Sequence, residues 1–258
     1  MKIGVMTFNL RVDAEIDGIN RFPHRKGRIL EVIEKHKPHV IGFQEANDTM
    51  REWLAEALSG GGYTVVGCGR NTDFRGESVP VAFLTDAFDL KMTDTKWLSP
   101  TPDVPGSTFG GDQSHCPRIL TSAILSPREG REFLFLNTHL DHKGENARVL
   151  GARCVTEYIE KAGLPFVITG DMNARPCDQA IKEFLSSAPN GKNCVDATSN
   201  VGGTFHAFGR KVGEERTKID YIFTDMDCDP SESFAISEPP VDGVYVSDHD
   251  PVIAFIET

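Results

Sequence analysis

A small set of acids, amides and imidazoles in this chain could do chemistry together: Asn9, Glu45, His139, Asp171, Asn173 and the pair Asp248-His249. Each follows or closes an apolar run. Residues 5–8 lead to Asn9, 40–44 to Glu45, 133–138 to His139, and 166–169 to Gly170-Asp171-Met172-Asn173. Such runs read as strands, and strand ends gathered on one sheet edge make a site held by rigid elements. The glycine before Asp171 is expected to let the backbone turn sharply there. Carboxylates and amide oxygens without thiolates suit a hard divalent cation, Mg²⁺ or Mn²⁺. Mg²⁺ keeps open positions for substrate phosphate, so a phosphoester substrate follows. Histidines beside such an ion could move protons or stabilise phosphate charge near neutral pH.

The elements that must position these residues are legible as patterns. Residues 3–9 and 40–45 read as strands and 24–36 as a helix, with Ile29, Leu30 and Ile33 on one face. Asn47 or Asp48 can cap a second helix, whose Met50, Trp53, Leu54, Ala57 and Leu58 keep helical spacing up to Gly60-Gly61-Gly62. Strand-like runs crowd around 63–68, 79–84, 89–97 and 119–125, and the Pro-, Gly- and Ser-rich stretch 99–117 reads as an ordered surface loop. The second half repeats this flavour, with strands at 133–139, 166–170, 219–224 and 252–256 and helices at 145–161 and 178–186. Strands outnumber helices and many are consecutive, which favours two packed sheets with helices outside. One domain over residues 1–258 is expected, because the polar cluster needs both halves.

Composition narrows the function further. Against 27 Lys and Arg stand 38 Asp and Glu, a formal charge of −11, which weighs against a long nonspecific nucleic-acid groove. A local basic patch, or metal ions at the site, can still supply positive charge. No apolar run approaches the roughly 20 residues that span a bilayer, and the N-terminus runs into a strand pattern without an apolar leader segment. The six cysteines form no C-x-x-C pair; they read as free thiols, so a cytoplasmic protein is expected. No Walker A, H-E-x-x-H or G-x-S-x-G pattern is present.

Six short motifs occur in a telling order: Thr7-Phe8-Asn9, Gly42-Phe43-Gln44-Glu45, Asn137-Thr138-His139-Leu140, Gly170-Asp171-Met172-Asn173, Lys218-Ile219-Asp220-Tyr221-Ile222-Phe223 and Ser247-Asp248-His249. In this order they resemble the endonuclease/exonuclease/phosphatase superfamily. That group includes deoxyribonuclease I, abasic-site endonucleases, neutral sphingomyelinases, deadenylases and inositol polyphosphate 5-phosphatases. The chain looks most similar to small bacterial members, with which it shares Arg25, Pro117-Arg118, Asp141-His142 and Gly203-Thr204-Phe205-His206. The resemblance implies a four-layered α/β sandwich, two packed and mostly antiparallel sheets flanked by helices. It also implies metal-dependent phosphoester hydrolysis by in-line attack of water.

Carried over by position, the resemblance makes Glu45 the principal metal ligand, with Asn9 and Asp248 nearby. Asp171 would orient or deprotonate the water and Asn173 place the phosphate. His249 would contact the phosphate or act as base, with Asp220 orienting it, and His139 would stabilise the phosphate or assist the leaving group. The base, Asp171 or His249, stays open. Arg25, Arg118 and His206 are further candidates for phosphate binding; a guanidinium can clamp a phosphate with two hydrogen bonds. The chain departs from the family pattern at Lys218, where Arg is common, and at Gly110–His115, which lacks the usual Trp. His139 stands where abasic-site endonucleases usually carry Tyr. The expected substrate is a small or lipid-like phosphoester. A DNA or RNA nuclease, or a catalytically silent phosphate-binding module, are the alternatives; oligomeric state is left open.

Overall fold

The computed structural model describes residues 1–188 and 191–258. Strands β1 (Lys2–Asn9) and β2 (Val40–Gln44) are joined by helix α1 (Phe22–His36), and α2 (Asp48–Ser59) follows. Then come β3 (Tyr63–Val66), β4 (Val81–Leu84), β5 (Phe88–Trp97), β6 (Ile119–Pro127) and β7 (Phe133–His139). Helix α3 (Glu145–Ala162), β8 (Phe166–Asp171) and α4 (Gln179–Leu185) precede β9 (Val195–Asp196), β10 (Asp220–Thr224), β11 (Phe234–Ala235) and β12 (Val252–Glu257). The expected elements are all present with ends shifted by a few residues. The two-residue strands β9 and β11 carry too little pattern to be read from sequence.

The strands form two six-stranded sheets, ordered β11-β12-β1-β2-β4-β3 and β5-β6-β7-β8-β10-β9. Among the described residues, β1–β2 and β7–β8 are the pairs that run parallel, each bridged by a helix. This is the α/β sandwich with two mostly antiparallel sheets. Val5, Val40, Phe83, Leu125, Phe135, Val167 and Ile222 fill the space between the sheets, in one of three large apolar clusters. The other two lie under α1 and α2 and under α3 and α4. Four layers follow, because each sheet hides both faces and each helix one stripe. Asn47 caps α2, its side chain accepting from the Met50 N–H at 3.0 Å.

Toward one end of the sandwich the filling between the sheets turns polar. Gln44 Nε2 donates to Asn137 Oδ1 at 2.7 Å, and Asn137 Nδ2 donates to the carbonyls of Phe43 at 2.6 Å and Pro80 at 3.0 Å. Thr169 Oγ1 donates to Asn137 Oδ1 at 3.1 Å. All of these side chains are fully buried. A buried network of this kind fixes the sheets in one relative position, since any slip strands a polar group. The strand ends just above it carry the candidate chemistry.

Candidate active site

Register explains why residues far apart in sequence meet. His139 pairs with Asp171 across parallel β7 and β8, and Asp171 pairs with Asp220 across antiparallel β8 and β10. Three functional candidates therefore stand in one row at the edge of one sheet. In the other sheet Asn9 pairs with Gln44, which puts Glu45 one step beyond the end of β2. Asp248 and His249 enter between the two sheets on the segment before β12. His249 is linked to Phe205 by an isolated β-bridge and lies against its ring at 4.9 Å.

Asn9 ties the two acids together. Its Nδ2 donates to Glu45 Oε1 at 3.0 Å and to Asp171 Oδ2 at 2.9 Å. Its Oδ1 accepts from the Arg11 N–H, so its amide N–H groups, not its oxygen, face the carboxylates. Glu45 Oε2 accepts from the Val12 N–H at 2.9 Å. Glu45 and Asn173 have left-handed backbone, φ 62° and 45°. For a glutamate that conformation is costly, and such residues cluster at functional sites. The sharp turn thus falls at Asn173. Gly170 is instead a close-approach glycine, since a Cβ there would come 2.4 Å from the Thr138 carbonyl.

Asp171 Oδ1 accepts from the Asn173 N–H at 2.9 Å, while Oδ2 lies 3.5 Å from His139 Nε2 and 3.8 Å from His249 Nε2. Asn173 Nδ2 reaches His139 Nε2 at 2.9 Å. Burial, then the charge of Asp220, pushes the Asp171 carboxyl up to about 7. Burial also raises Asp248; Glu45 adds to this, and His249, Arg11 and Arg25 oppose it. Burial works against a charged His249, but Asp220, by charge and hydrogen bond, outweighs it with help from Asp171 and Asp248. The imidazole is held well above its usual range, as imidazolium. His139 is the reverse: burial, then the charges of Arg118 and Arg70, keep it neutral.

Ligand atoms of Glu45, His139 and Asp171 lie within 4.8 Å of one another, and so do those of Asp171, Asp220 and His249. The donors are hard oxygens and imidazole nitrogens, and burial together with the charge of neighbouring carboxylates pushes Asp171 and Asp248 toward protonation. That set fits a divalent cation of the Mg²⁺ or Mn²⁺ kind.

Arg118 stays at the site. It lines a small recess with Glu45, Arg70, Glu77 and His139, and its guanidinium is braced by Asp141 at 3.4 Å and by His142 Nδ1 at 2.7 Å. Asp141 also accepts from Ser114, Lys143 and Gly144, which ties the 110–116 loop and the start of α3 to the site. Arg25 does not reach the site surface. It is fully buried and donates to the carbonyls of Asn20, Leu10, Val246 and Arg11. The phosphate contact expected of it gives way to bracing of the loops behind Asn9 and Asp248. His206 is likewise turned inward: its Nδ1 accepts from the Gly209 N–H, and its Nε2 lies 3.4 Å from Asp250. Its backbone N–H supports the Asp248 carbonyl. The expected phosphate contact is replaced by support of the Asp248 segment. Lys218 serves as a support too, held by Asp196 and the Thr198 carbonyl.

Sequence reasoning missed two arginines. Arg70 reaches the recess, paired with Glu77 at 2.7 Å. Arg11 stands 3.9 Å from Asp248 and 4.0 Å from Glu45. Only the position of Arg11, two residues past a strand-end Asn, could have signalled it.

Residues 6–249 match the sequence profile of the Endonuclease/Exonuclease/phosphatase family. An endonuclease/exonuclease/phosphatase from Bacteroides vulgatus is similar, with 30% identity and a TM-score of 0.86 over 100% of this chain and 99% of that one. A mannosyl-6-phosphatase from Bacteroides thetaiotaomicron is 29% identical, with a TM-score of 0.86 over 98% of each chain. Protein L388 of Acanthamoeba polyphaga mimivirus is 24% identical over 94% of this chain and 95% of its own length. The profile spans every strand end that carries the site, from Asn9 to His249, and on that ground the chain belongs to the endonuclease/exonuclease/phosphatase family, whose members hydrolyse phosphoesters.

Proposed function

We propose that this chain is a divalent-metal-dependent phosphoester hydrolase that acts on a small phosphorylated molecule by in-line attack of water. The observation that carries the reading is geometric: Asp171 Oδ2 lies 3.5 Å from His139 Nε2 and 3.8 Å from His249 Nε2, and the ligand atoms of Glu45, His139 and Asp171 lie within 4.8 Å of one another. A divalent cation, bound chiefly by Glu45 with Asp248 nearby, would neutralise negative charge developing on the phosphate. Asn9 holds the carboxylates of Glu45 and Asp171 at a fixed separation. Asp171, raised toward neutrality, suits a residue that orients water and takes its proton. His249, charged and backed by Asp220, suits a donor to the phosphoryl oxygens. Asn173, bonded to His139, would place the phosphate, His139 would stabilise it or assist the leaving group, and Arg118 would offer it a guanidinium.

The likeness to a mannosyl-6-phosphatase supports a phosphorylated sugar or similar small ester, and the −11 charge supports this over a nucleic acid. A single functional unit over residues 1–258 and a cytoplasmic setting belong to the same proposal. No helix among the described residues is long and apolar enough to cross a membrane.

The test is a parallel assay of a hexose 6-phosphate, p-nitrophenyl phosphate, bis-p-nitrophenyl phosphate and nicked plasmid, with Mg²⁺ and with EDTA. Small-ester turnover that EDTA and Glu45→Gln both abolish is the expected result. Plasmid cleavage without small-ester turnover would replace the substrate reading, and no metal-dependent hydrolysis of any of the four would end it.

A further inference from the structure

Arg11 places a guanidinium about 4 Å from both Glu45 and Asp248, and its geometry is unusual. Its backbone is left-handed, φ 56°, and its N–H is held by Asn9 Oδ1 at 2.9 Å. The guanidinium is clamped from behind by Asp17, Nε to Oδ2 at 2.9 Å and Nη2 to Oδ1 at 3.2 Å. So fixed, Nη1 stops 4.0 Å from Glu45 Oε2, and Nε 3.9 Å from Asp248 Oδ2. These distances are too long for hydrogen bonds but short enough for strong electrostatic coupling. Among the described residues nothing accepts from Nη1, and the side chain is 28% exposed. An arginine free to move would settle on the two carboxylates and block them. Asp17 holds this one back.

We infer that Arg11, restrained by Asp17, is a charge-balancing residue that weakens the binding of a free divalent cation to Glu45 and Asp248 and strengthens the binding of phosphate beside it. The inference rests on reading this pocket as a cation-and-phosphate site. A fixed positive charge beside the acids repels a second cation that arrives alone, and it attracts an anion that arrives with it. The unused Nη1 hydrogens are the donors that a phosphate oxygen would take. By linkage, ion and phosphate then each bind better in the presence of the other. Arg11 thereby makes occupancy by the ion depend on substrate.

The test measures binding, not turnover. Mn²⁺ alone is titrated into wild type, Arg11→Met, Arg11→Lys and Glu45→Gln, and inorganic phosphate is then titrated at saturating Mg²⁺. Arg11→Met is expected to bind Mn²⁺ about five- to tenfold tighter and phosphate about tenfold weaker, opposite shifts that only a charge effect gives. Arg11→Lys keeps the charge, so its Mn²⁺ affinity is expected within about twofold of wild type. Met and Lys variants that shift Mn²⁺ affinity alike would mark a packing effect and overturn the inference, as would unchanged or weaker Mn²⁺ binding by Arg11→Met. The Glu45→Gln arm distinguishes failure of the cation site from failure of the Arg11 effect. Mn²⁺ binding by wild type that this variant abolishes upholds the site, so that failure of the Arg11 arm then falls on the inference alone. Absence of that binding overturns both.

Discussion

His249 Nδ1 lies 2.9 Å from Asp220 Oδ2 in a pair closed off from solvent. Thr204 Oγ1 donates to the same oxygen at 2.5 Å. Asp220 itself is fixed by its register opposite Asp171 on the neighbouring strand. The sheet therefore sets the angle of an imidazole that arrives on a loop.

Removing that carboxylate charge is expected to act through His249. Asp220→Asn should fold and lose turnover by about 100-fold or more, as when an orienting carboxylate is taken from an imidazole. Asp220 raises His249, so in its absence the alkaline limb of the kcat/KM profile should move to lower pH. A profile unchanged in position, with activity simply lowered, would assign Asp220 to packing alone.

The raised Asp171 makes a prediction about stability in the metal-free protein. Its folded value of about 7 stands above the ordinary 3.8. A raised carboxyl favours folding while protonated, so its contribution is complete below about pH 4 and is lost as pH rises through about 7. In EDTA the thermal midpoint should fall across that window, by a free energy on the order of 2–4 kcal/mol. Asp171→Asn should flatten the fall, and added Mg²⁺ should oppose it by stabilising the carboxylate. His249, also raised, has the same sign, but its loss comes at higher pH. A midpoint flat from pH 4 to 8 in EDTA would contradict the coupling of these acids.

Much of this site was legible because its chemistry lies at strand ends, and strands leave a mark in sequence. Asn9, Glu45, His139 and Asp171 each follow an apolar run, and the structure puts each at a sheet edge. What the sequence hides is the direction in which a side chain points. Arg25 looks like any exposed helical arginine, yet four carbonyls from loops up to 221 residues away surround it. His206 sits in a motif rich in functional residues and turns inward because Gly209 and Asp250 hold its ring. Arg11 and Arg70 owe their places to long-range pairing with Glu45, Asp248 and Glu77, which no local pattern records.

The two candidate phosphate arginines should separate by what their loss damages. Arg25→Met removes four hydrogen bonds to backbone carbonyls, three of them buried, and is expected to cost about 3 kcal/mol or more of stability. Arg118→Met should cost less stability than Arg25→Met, because Asp141 keeps its bonds from Ser114, Lys143 and Gly144, while weakening turnover about tenfold or more. Urea midpoints and kcat/KM on the same preparations check both. An Arg25→Met protein with wild-type stability would show that these loops do not depend on Arg25.

At Gly42 the two sheets approach each other closely beneath the site. A Cβ there would stand 2.0 Å from Thr169 Oγ1 and 2.6 Å from Asn137 Oδ1. Both groups are buried and hydrogen-bonded, so neither can swing aside freely. Gly42→Ala is therefore expected to push the sheets apart locally, at about 1–3 kcal/mol. The same displacement moves Glu45, three residues on, relative to His139 on the other sheet, so turnover should fall by more than stability alone explains. Thr169→Ala removes the nearer clash and should restore part of both losses in the double variant. Urea unfolding and kcat/KM of the two single variants and the double form a cycle. Strict additivity in that cycle would show that the contact between the sheets does not set the spacing of the site.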